Sequence, residues 1–386
     1  MGHGRNDVMS KNLPERVFFN DTTLRDGEQA PKVAFSREGK IAIAKMLEAS
    51  GLDQIEVGIP AMGEKEQDTI RDILRLNFFA RISTWNRACE SDITASIKVG
   101  ATLVHITLPV SDLQLRAKFD RDCTWALHHL RHMVKFARDQ GLEVTVGFED
   151  ASRADQDFLI ELAQSVTEEG VTRIRYADTV GCLTPRITRM RIGRLARAIS
   201  VPVEIHAHND FGLAVANTLA AVEAGAEWVS TTVTGLGERA GNAAMEPVAM
   251  ALEELYAIKT HLDAVKFEPL ARLVRDQSGR PLSVEQPIVG SYAFAHESGI
   301  HVAALLADPM TYQAFAPARV GREHAFLLGK HSGRKALRHR LASLGLEVTE
   351  DSLKNLLGTI REKEDWTDGE LLRLYQEMSN DLNAHR

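Results

Sequence analysis

The stretch "VPVEIHAHNDFGLAVANTLAAVEAGAEWVSTT", residues 201–232, reads as one complete strand–helix–strand unit. Val203–Ala207 and Trp228–Thr232 are short runs with the composition of buried strands. Between them, apolar residues recur every three or four positions, as on one face of an amphipathic helix. Gly225 follows this pattern and is a typical helix stop. The stretch therefore predicts two parallel strands joined by a helix.

The same alternation of strand and helix runs through the preceding two hundred residues. One helical pattern, "SREGKIAIAKMLEASG" at residues 36–51, has Ser36 as a plausible N-cap and Gly51 as its stop. Six further strands are predicted, at Val17–Asp21, Gln54–Val57, Ala80–Ser83, Leu103–Leu108, Glu143–Phe148 and Arg173–Ala177. Eight strands, each followed by a helix, predict an α/β fold, a (β/α)8 TIM barrel that closes near residue 260.

The alternative architecture is a doubly wound open sheet. It is disfavoured because no GxGxxG motif follows the first strand. The glycine-rich "GLGERAG" at residues 235–241 comes after the eighth strand and lacks the Lys-Ser/Thr of a P-loop.

The rhythm changes at about Asp276, where "DQSGRPLSVEQPIVGSY" brings in prolines and glycines. The sequence thus predicts a disordered leader at 1–15, a catalytic barrel at 16–275, and a linker at 276 followed by a smaller, mainly helical region up to 386. This last region is expected to act as a lid and in dimerisation. The length of 386 residues suits a barrel of roughly 250 residues with such an appendage.

Composition excludes several classes of protein. A net charge of −7 argues against a general nucleic-acid binder. The sequence contains no run of 18 apolar residues, so it predicts no membrane-spanning helix. The cysteines, Cys89, Cys123 and Cys182, are too few and too widely spaced for a disulfide framework. We therefore expect a protein of the reducing cytoplasm, without nucleic-acid or membrane partners.

Catalytic groups of such barrels lie at the carboxyl ends of the strands. There the sequence places polar residues after five of the predicted strands: Arg25, Asp26, Gln29, Glu149, Thr179, His206, His208 and Asn242.

His206 and His208 face the same side of their strand because they are two positions apart. With the carboxylate of Asp26 they predict a two-histidine, one-carboxylate metal site with open positions. The alternative is one catalytic and one structural histidine. Arg25, beside Asp26, would offer hydrogen-bond donors to an oxyanion. The alternative is that Arg25 and Asp26 form an ordinary surface salt bridge.

Six motifs along residues 16–340 follow one another as they do in a known family. They resemble the acetyl-CoA-dependent enzymes that condense 2-oxoacids, namely homocitrate, 2-isopropylmalate and citramalate synthases. "EVGIPAMGEKEQDTI", residues 56–70, is most similar to homocitrate synthases associated with nitrogenase cofactor assembly. The motifs are "DTTLRDGEQAP" (21–31), "EVGIPAMGE" (56–64), "ADTVGCLTP" (177–185), "HAHNDFGLAVANTLAAVEAGA" (206–226), "GLGERAGNA" (235–243) and "FAHESGIH" (294–301).

The resemblance implies a metal-dependent acyltransferase that condenses acetyl-CoA with 2-oxoglutarate and hydrolyses the thioester to give homocitrate and CoA. It implies a divalent metal (Mn, Mg, Zn or Co) on Asp26, His206 and His208, with Asn242 nearby. Arg25 would polarise the keto group, and Gln29 and Thr179 would contact the oxoacid.

The resemblance also implies how acetyl-CoA loses its methyl proton. Glu149, His301 and Tyr312 match the family's residues for this step, and His301 and Tyr312 would act on the neighbouring barrel of a homodimer. His296, five residues before His301, is expected only to support the lid.

Two positions depart from the lysine-pathway homocitrate synthases. Thr145 stands where an arginine would bind the distal carboxylate of 2-oxoglutarate, and Gly147 where a serine is usual; the family's helper histidine aligns near Cys89. The predicted substitute is Arg175, which would share a face with Thr179. Alternatively, Arg175 is a structural arginine paired with a carboxylate such as Glu204.

Three other functions stay open. One is 2-isopropylmalate or citramalate synthesis, and another is a related acyl-CoA carbon–carbon lyase. The third, a non-catalytic metal-holding scaffold, leaves Arg25, Glu149, His301 and Tyr312 unexplained. The short stretch after Arg340 argues against leucine feedback, since the leucine-regulated synthases of the family carry a long further domain.

Overall fold

The computed structural model describes residues 13–384, so most of the predicted leader, residues 1–12, lies outside the described residues. Eight parallel strands close into a barrel in their chain order. They are β1 (Phe18–Asp21), β2 (Gln54–Glu56), β3 (Arg81–Arg87), β4 (Leu103–Pro109), β5 (Glu143–Glu149), β6 (Arg173–Asp178), β7 (Val203–Ala207) and β8 (Trp228–Thr231). The predicted TIM barrel is confirmed.

Helices follow each strand and supply the apolar faces that cover the barrel. Those of the barrel region are α1 (Arg37–Ala49), α2 (Glu64–Leu74), α3 (Glu90–Val99), α4 (Asp112–Phe119), α5 (Cys123–Asp139), α6 (Gln156–Glu168), α7 (Pro185–Ala198), α8 (Ala214–Glu223), α9 (Met245–Tyr256) and α10 (Phe267–Ser278).

Local signals place most helix ends as expected. Ser36 caps α1, because its side chain accepts a hydrogen bond from the backbone N–H of Gly39. Helix α8 begins at Ala214, after a turn that is closed by the Gly212 N–H on the Asn209 carbonyl.

Strand β3 runs four residues beyond its predicted end at Ser83. In the added segment "TWNR", Thr84 and Trp85 suit a strand but Asn86 does not, so the composition did not extend the prediction. Its main chain nevertheless pairs with β4, from Thr84 opposite Val104 to Arg87 opposite Thr107. Pairing with a neighbour outweighs local propensity here.

The register aligns inward-facing positions of neighbouring strands into layers. Thr107, Gly147, Arg175 and Glu204 lie side by side on β4, β5, β6 and β7. Because side chains alternate along a strand, the next inward residues lie two positions on, nearer the carboxyl rim. The barrel interior therefore has a layer that contains Arg175, one below it with His105, Thr145 and Arg173, and one above it at the rim.

The described residues divide into two compact units, with the boundary between Leu282 and Ser283. Helix α10 continues through Ser278, past the predicted start of the linker at Asp276, because Val274 and Ser278 are buried. The second unit is mainly helical: α11 (Gly299–Leu305), α12 (Arg334–Ser343), α13 (Glu350–Ile360) and α14 (Asp368–Ala384), with a two-stranded parallel sheet of β9 (Ala295–His296) and β10 (Ala325–Phe326).

The second unit has its own apolar core, in which Val302, Leu337, Leu353 and Ile360 are fully buried. In the whole described chain, helices long enough and apolar enough to cross a bilayer are absent.

Candidate active site

A cavity of about 680 Å³ opens at the carboxyl ends of the barrel strands. Its volume is within the usual range for a site that binds a small organic molecule. Eight of the residues singled out in the sequence line it: Arg25, Asp26, Gln29, Glu149, Arg175, Thr179, His206 and His208.

Asp26, His206 and His208 form a buried cluster in this cavity. Their ligand atoms all lie within 4.8 Å of one another. His206 Nε2 is 3.0 Å from Asp26 Oδ2 and 3.2 Å from His208 Nε2. Two imidazole nitrogens and one carboxylate oxygen around a common point form a donor set that suits a divalent transition metal or zinc.

Neighbouring groups orient the two histidines. His206 Nδ1 is 2.9 Å from the Ser230 hydroxyl on β8, and this contact turns Nε2 toward Asp26. His208 pairs through its backbone with Asn242 in an isolated bridge. The side-chain Oδ1 of Asn242 is buried without a hydrogen-bond partner, while its Nδ2 donates to the Leu236 carbonyl. Asn242 is thus next to the cluster, with one acceptor unused.

The electrostatics of the cluster keep its carboxylate ionised. Burial works to raise the pKa of Asp26, but the charge of Arg25 and the hydrogen bond with His206 outweigh it, and the pKa is lowered. Burial, followed by the charge of His206, lowers the pKa of His208 to about 4. An ionised carboxylate and a neutral imidazole are the forms in which these groups bind metals.

Arg25 and Asp26 leave the barrel in one tight turn after β1. The Thr22 carbonyl accepts the backbone N–H groups of Arg25, Asp26 and Gly27, at 3.1, 2.8 and 3.1 Å. The Arg25 side chain is buried, its Nε donates to Glu56 Oε1 at 2.5 Å, and Nη1 is 3.5 Å from Asp26. Arg25 is therefore fixed beside the cluster, in the position predicted for an oxyanion donor.

Arg175 lines the floor of the cavity, by which we mean the interior layers of the barrel below the rim. Two buried carboxylates already bind it. Nη2 is 2.7 Å from Glu56 Oε2 and Nε is 2.8 Å from Glu204 Oε1. The pairing with Glu204 is the structural alternative considered for this residue. Arg175 is thus an interior ion-pair residue that also faces the ligand space.

The remaining rim residues are held less tightly. Glu149 is partly exposed and accepts a hydrogen bond from Lys118 Nζ at 2.5 Å. The Thr179 hydroxyl accepts from the backbone N–H of Asp150 at 2.8 Å. Gln29 is exposed at the end of a short 3-10 helix, Gly27–Gln29.

His301 and Tyr312 belong to the second unit. Their rings stack with centroids 4.1 Å apart, and both side chains are exposed to solvent. His296 lies 6.4 Å from His301, ring centre to ring centre. The structure therefore brings together two of the three predicted proton-transfer residues, His301 and Tyr312.

Sequence reasoning missed three groups in or beneath the cavity. Glu56, buried on β2, holds both Arg25 and Arg175. His105 and Thr107, on β4, face inward and line the cavity. The alternating "VHIT" of β4 carries the signal, since a polar residue at every second position of a barrel strand points toward the interior.

The Arg239 guanidinium, missed as well, connects three rim loops. It bonds to both carboxylate oxygens of Asp210, at 2.8 and 2.9 Å, and to the Thr179 carbonyl at 2.7 Å. The loops after β6, β7 and β8 are thereby fixed around the cavity mouth.

Comparison with known proteins places this site in context. A family model described as HMGL-like matches residues 16–274, and one described as "Homocitrate synthase post-HMGL domain-like" matches residues 288–368. A homocitrate synthase from Frankia alni is 54% identical over 329 residues, 85% of this chain and 94% of the relative. The 2-isopropylmalate synthase 2 of Caldanaerobacter subterraneus subsp. tengcongensis is 43% identical, over 94% of this chain and 96% of the relative.

Among solved structures, an HMG-CoA lyase from Bacillus subtilis superposes with a TM-score of 0.64 at 21% identity. The superposition covers 70% of this chain and 96% of the lyase. At that level of identity it supports the barrel fold alone. The family model covers most of the chain and the Frankia relative nearly all of its own length, so the chain belongs to the HMGL-like family.

Proposed function

We propose that this protein is a homocitrate synthase. It condenses the methyl carbon of acetyl-CoA with the keto carbon of 2-oxoglutarate and hydrolyses the thioester, releasing homocitrate and CoA. The observation that carries the proposal is the buried Asp26–His206–His208 cluster with Arg25 beside it, in a chain 54% identical to a curated homocitrate synthase.

Asp26, His206 and His208 fit a divalent ion, with Asn242 as a further oxygen donor close by. The unpartnered, buried Oδ1 of Asn242 supports this fit. A bound ion supplies Lewis acidity to the keto oxygen of the 2-oxoacid. Two nitrogen donors favour Zn, Mn or Co over Mg, which prefers oxygen ligands.

Arg25 has the position of the oxyanion donor. Its guanidinium is fixed by Glu56 and carries N–H groups beyond those used in that pair. These would stabilise the alkoxide that forms when the new carbon–carbon bond closes. Thr179 and Gln29, on the same rim, would contact the carboxylate next to the keto group.

The methyl proton of acetyl-CoA needs a general base. Glu149 lies at the cavity mouth, and His301 and Tyr312 form a stacked pair in the second unit. An imidazole ionises near neutral pH, which suits such a base. We propose that the protein is a homodimer in which His301 and Tyr312 of one copy serve the barrel of the other.

The runner-up is a 2-isopropylmalate synthase, the name of a relative at 43% identity. An apolar acid such as 2-oxoisovalerate needs apolar walls, whereas 2-oxoglutarate brings a second carboxylate. The polar cavity floor, with His105, Thr107 and Arg175, favours the dicarboxylic acid.

Two finer statements belong to the same proposal. The three cysteines are free, which is consistent with the reducing cytoplasm. The resemblance of residues 56–70 to nitrogenase-associated enzymes supports a role in supplying homocitrate for that cofactor.

The test is the release of free CoA from acetyl-CoA with 2-oxoglutarate, 2-oxoisovalerate or pyruvate, each with added Mn or Mg. We expect the highest kcat/KM with 2-oxoglutarate. A strong preference for 2-oxoisovalerate would instead assign the protein to isopropylmalate synthesis. CoA release that needs no 2-oxoacid would contradict a condensing enzyme altogether.

A further inference from the structure

Strand β5 places no arginine in the barrel floor. Thr145 and Gly147 occupy two of its inward positions, and Arg175 is already bound by Glu56 and Glu204. If 2-oxoglutarate is the substrate, its distal carboxylate must find other donors. The remaining candidates are side chains of the floor whose polar atoms lack partners.

Two such atoms meet above Gly147. His105 Nε2 and Thr107 Oγ1 are both buried without a hydrogen-bond partner. A Cβ built on Gly147 would lie 2.5 Å from His105 Nε2 and 2.7 Å from Thr107 Oγ1. The imidazole thus lies across the glycine, in space that another residue would fill, and all three residues line the cavity.

Thr145 fixes the orientation of the imidazole. Its hydroxyl lies 2.9 Å from His105 Nδ1 and 3.4 Å from the Val104 carbonyl, and it has one proton for these two contacts. In the tautomer that would serve a carboxylate, the hydroxyl donates to Nδ1, so Nε2 carries the proton and donates toward the cavity.

The surroundings keep His105 neutral and the charges of the floor balanced. Burial, and then the charge of Arg175, lowers the pKa of His105 well below its ordinary value. Three buried arginines (Arg25, Arg173 and Arg175) face three carboxylates (Glu56, Glu204 and Asp26). The arginines are thus already paired, so new hydrogen bonds to a distal carboxylate must come from neutral donors.

We infer that His105 and Thr107, converging above Gly147, form the subsite that donates hydrogen bonds to the distal carboxylate of the 2-oxoacid and so determines its class. The inference rests on the proposed function and adds what that function lacks. The donors of this subsite come from β4, while Arg175 stays bound to Glu56 and Glu204.

The test compares two acids of equal length, 2-oxoglutarate and 2-oxopentanoate, which lacks only the distal carboxylate. Three variants probe the subsite: Thr107→Val, His105→Leu, and His105→Gln, whose amide restores an N–H donor. Thr231→Val is the matched control, because its hydroxyl is also buried and unpartnered but Thr231 is not among the residues that line the cavity.

We expect Thr107→Val and His105→Leu to lower the preference for 2-oxoglutarate over 2-oxopentanoate by about tenfold or more, since each removes a bond to a charged group. The change should come through KM for 2-oxoglutarate, with kcat/KM for 2-oxopentanoate unchanged or raised. His105→Gln should recover part of the preference, and Thr231→Val should retain it.

Gly147→Ala supplies an independent arm, because its Cβ would displace the imidazole. Gly358→Ala, in open space on α13, is its control. Should the subsite variants lower both substrates equally, or neither, while the wild type prefers 2-oxoglutarate, the inference alone is overturned. A wild type that prefers 2-oxopentanoate overturns the proposed function and, with it, the inference.

Discussion

The rim of the barrel and the floor beneath it are both rich in polar side chains, but they use them differently. At the rim, the ligand atoms of Asp26, His206 and His208 lie close together, and all three residues line the cavity. On the floor, Arg175 and its two glutamates satisfy one another. The rim keeps its charge for a ligand, whereas the floor neutralises its own and leaves only neutral donors free. We read the rim as the place of reaction and the floor as the place of recognition.

Removing a rim ligand should have the largest effect. His206→Ala takes one of three donors from the cluster, so we expect kcat/KM to fall on the order of 10³-fold, the worth of several kcal/mol of Lewis-acid stabilisation. Titration calorimetry with Mn²⁺ alone should show weakened binding. His132→Ala, at a histidine whose side chain is 65% exposed, is the control. Undiminished Mn²⁺ affinity in His206→Ala would contradict the metal site.

Removing the floor's central cation should cost stability rather than chemistry. Arg175→Ala leaves Glu56 and Glu204 short of a buried partner, so the free energy of unfolding should drop by about 3–5 kcal/mol. Denaturant unfolding measures this, and Arg194→Ala, in a surface pair with Asp157, should change it by under about 1 kcal/mol.

Arg175→Ala also tests whether Arg175 binds substrate directly. A KM for 2-oxoglutarate that rises less than about tenfold would rule out the clamp role. Adding Glu204→Gln should lower the stability further, because Arg173 Nε, 2.6 Å from Glu204 Oε2, would lose its buried carboxylate. A single variant as stable as the wild type would contradict the ion-pair description of the floor.

Buried carboxylates outside the cavity sharpen the contrast further. The arginines outweigh burial at Glu56 and Glu204 and lower their pKa. At Asp21 and Glu246 burial dominates, and it raises their pKa to about 7 and about 8. Groups whose pKa is raised in the folded state stabilise it at low pH and lose that contribution as pH rises through the folded value.

Glu246→Gln should therefore raise the melting temperature at pH 9 by about 2 °C or more relative to wild type, and by less at pH 5.5. The amide keeps an oxygen to accept from the Thr234 N–H, which lies 3.0 Å from the carboxylate. Thermal unfolding across this pH range is the measurement. A shift that is the same at both pH values would assign the effect to packing.

The sequence predicted the parts of the molecule that follow local rules. All eight strands, and the cluster from Asp26 to His208, could be located by periodicity and by their position at strand ends. The predicted end of β3, at Ser83, was four residues too early, because the residues after it pair with β4 through their main chain.

The floor could not be predicted because its arrangement depends on register between strands. That Gly147 lies between Thr107 and Arg175, and that Glu56 reaches across the barrel to Arg175, follows only from the closed sheet. A polar residue at each second position marks an interior face. It does not tell which residue pairs with which, and so which donors stay free.

The turn after β1 has a mechanical consequence. Arg25 and Asp26 are consecutive residues held by a single carbonyl, that of Thr22. Thermal motion shifts barrel strands relative to one another, and distances between groups on different strands change with it. The backbone separation of Arg25 and Asp26 is instead set by one peptide unit. Arg25 and Asp26 therefore move together. Heating that weakens the pairing between barrel strands should displace the floor residues, which lie on different strands, before it separates Arg25 from Asp26.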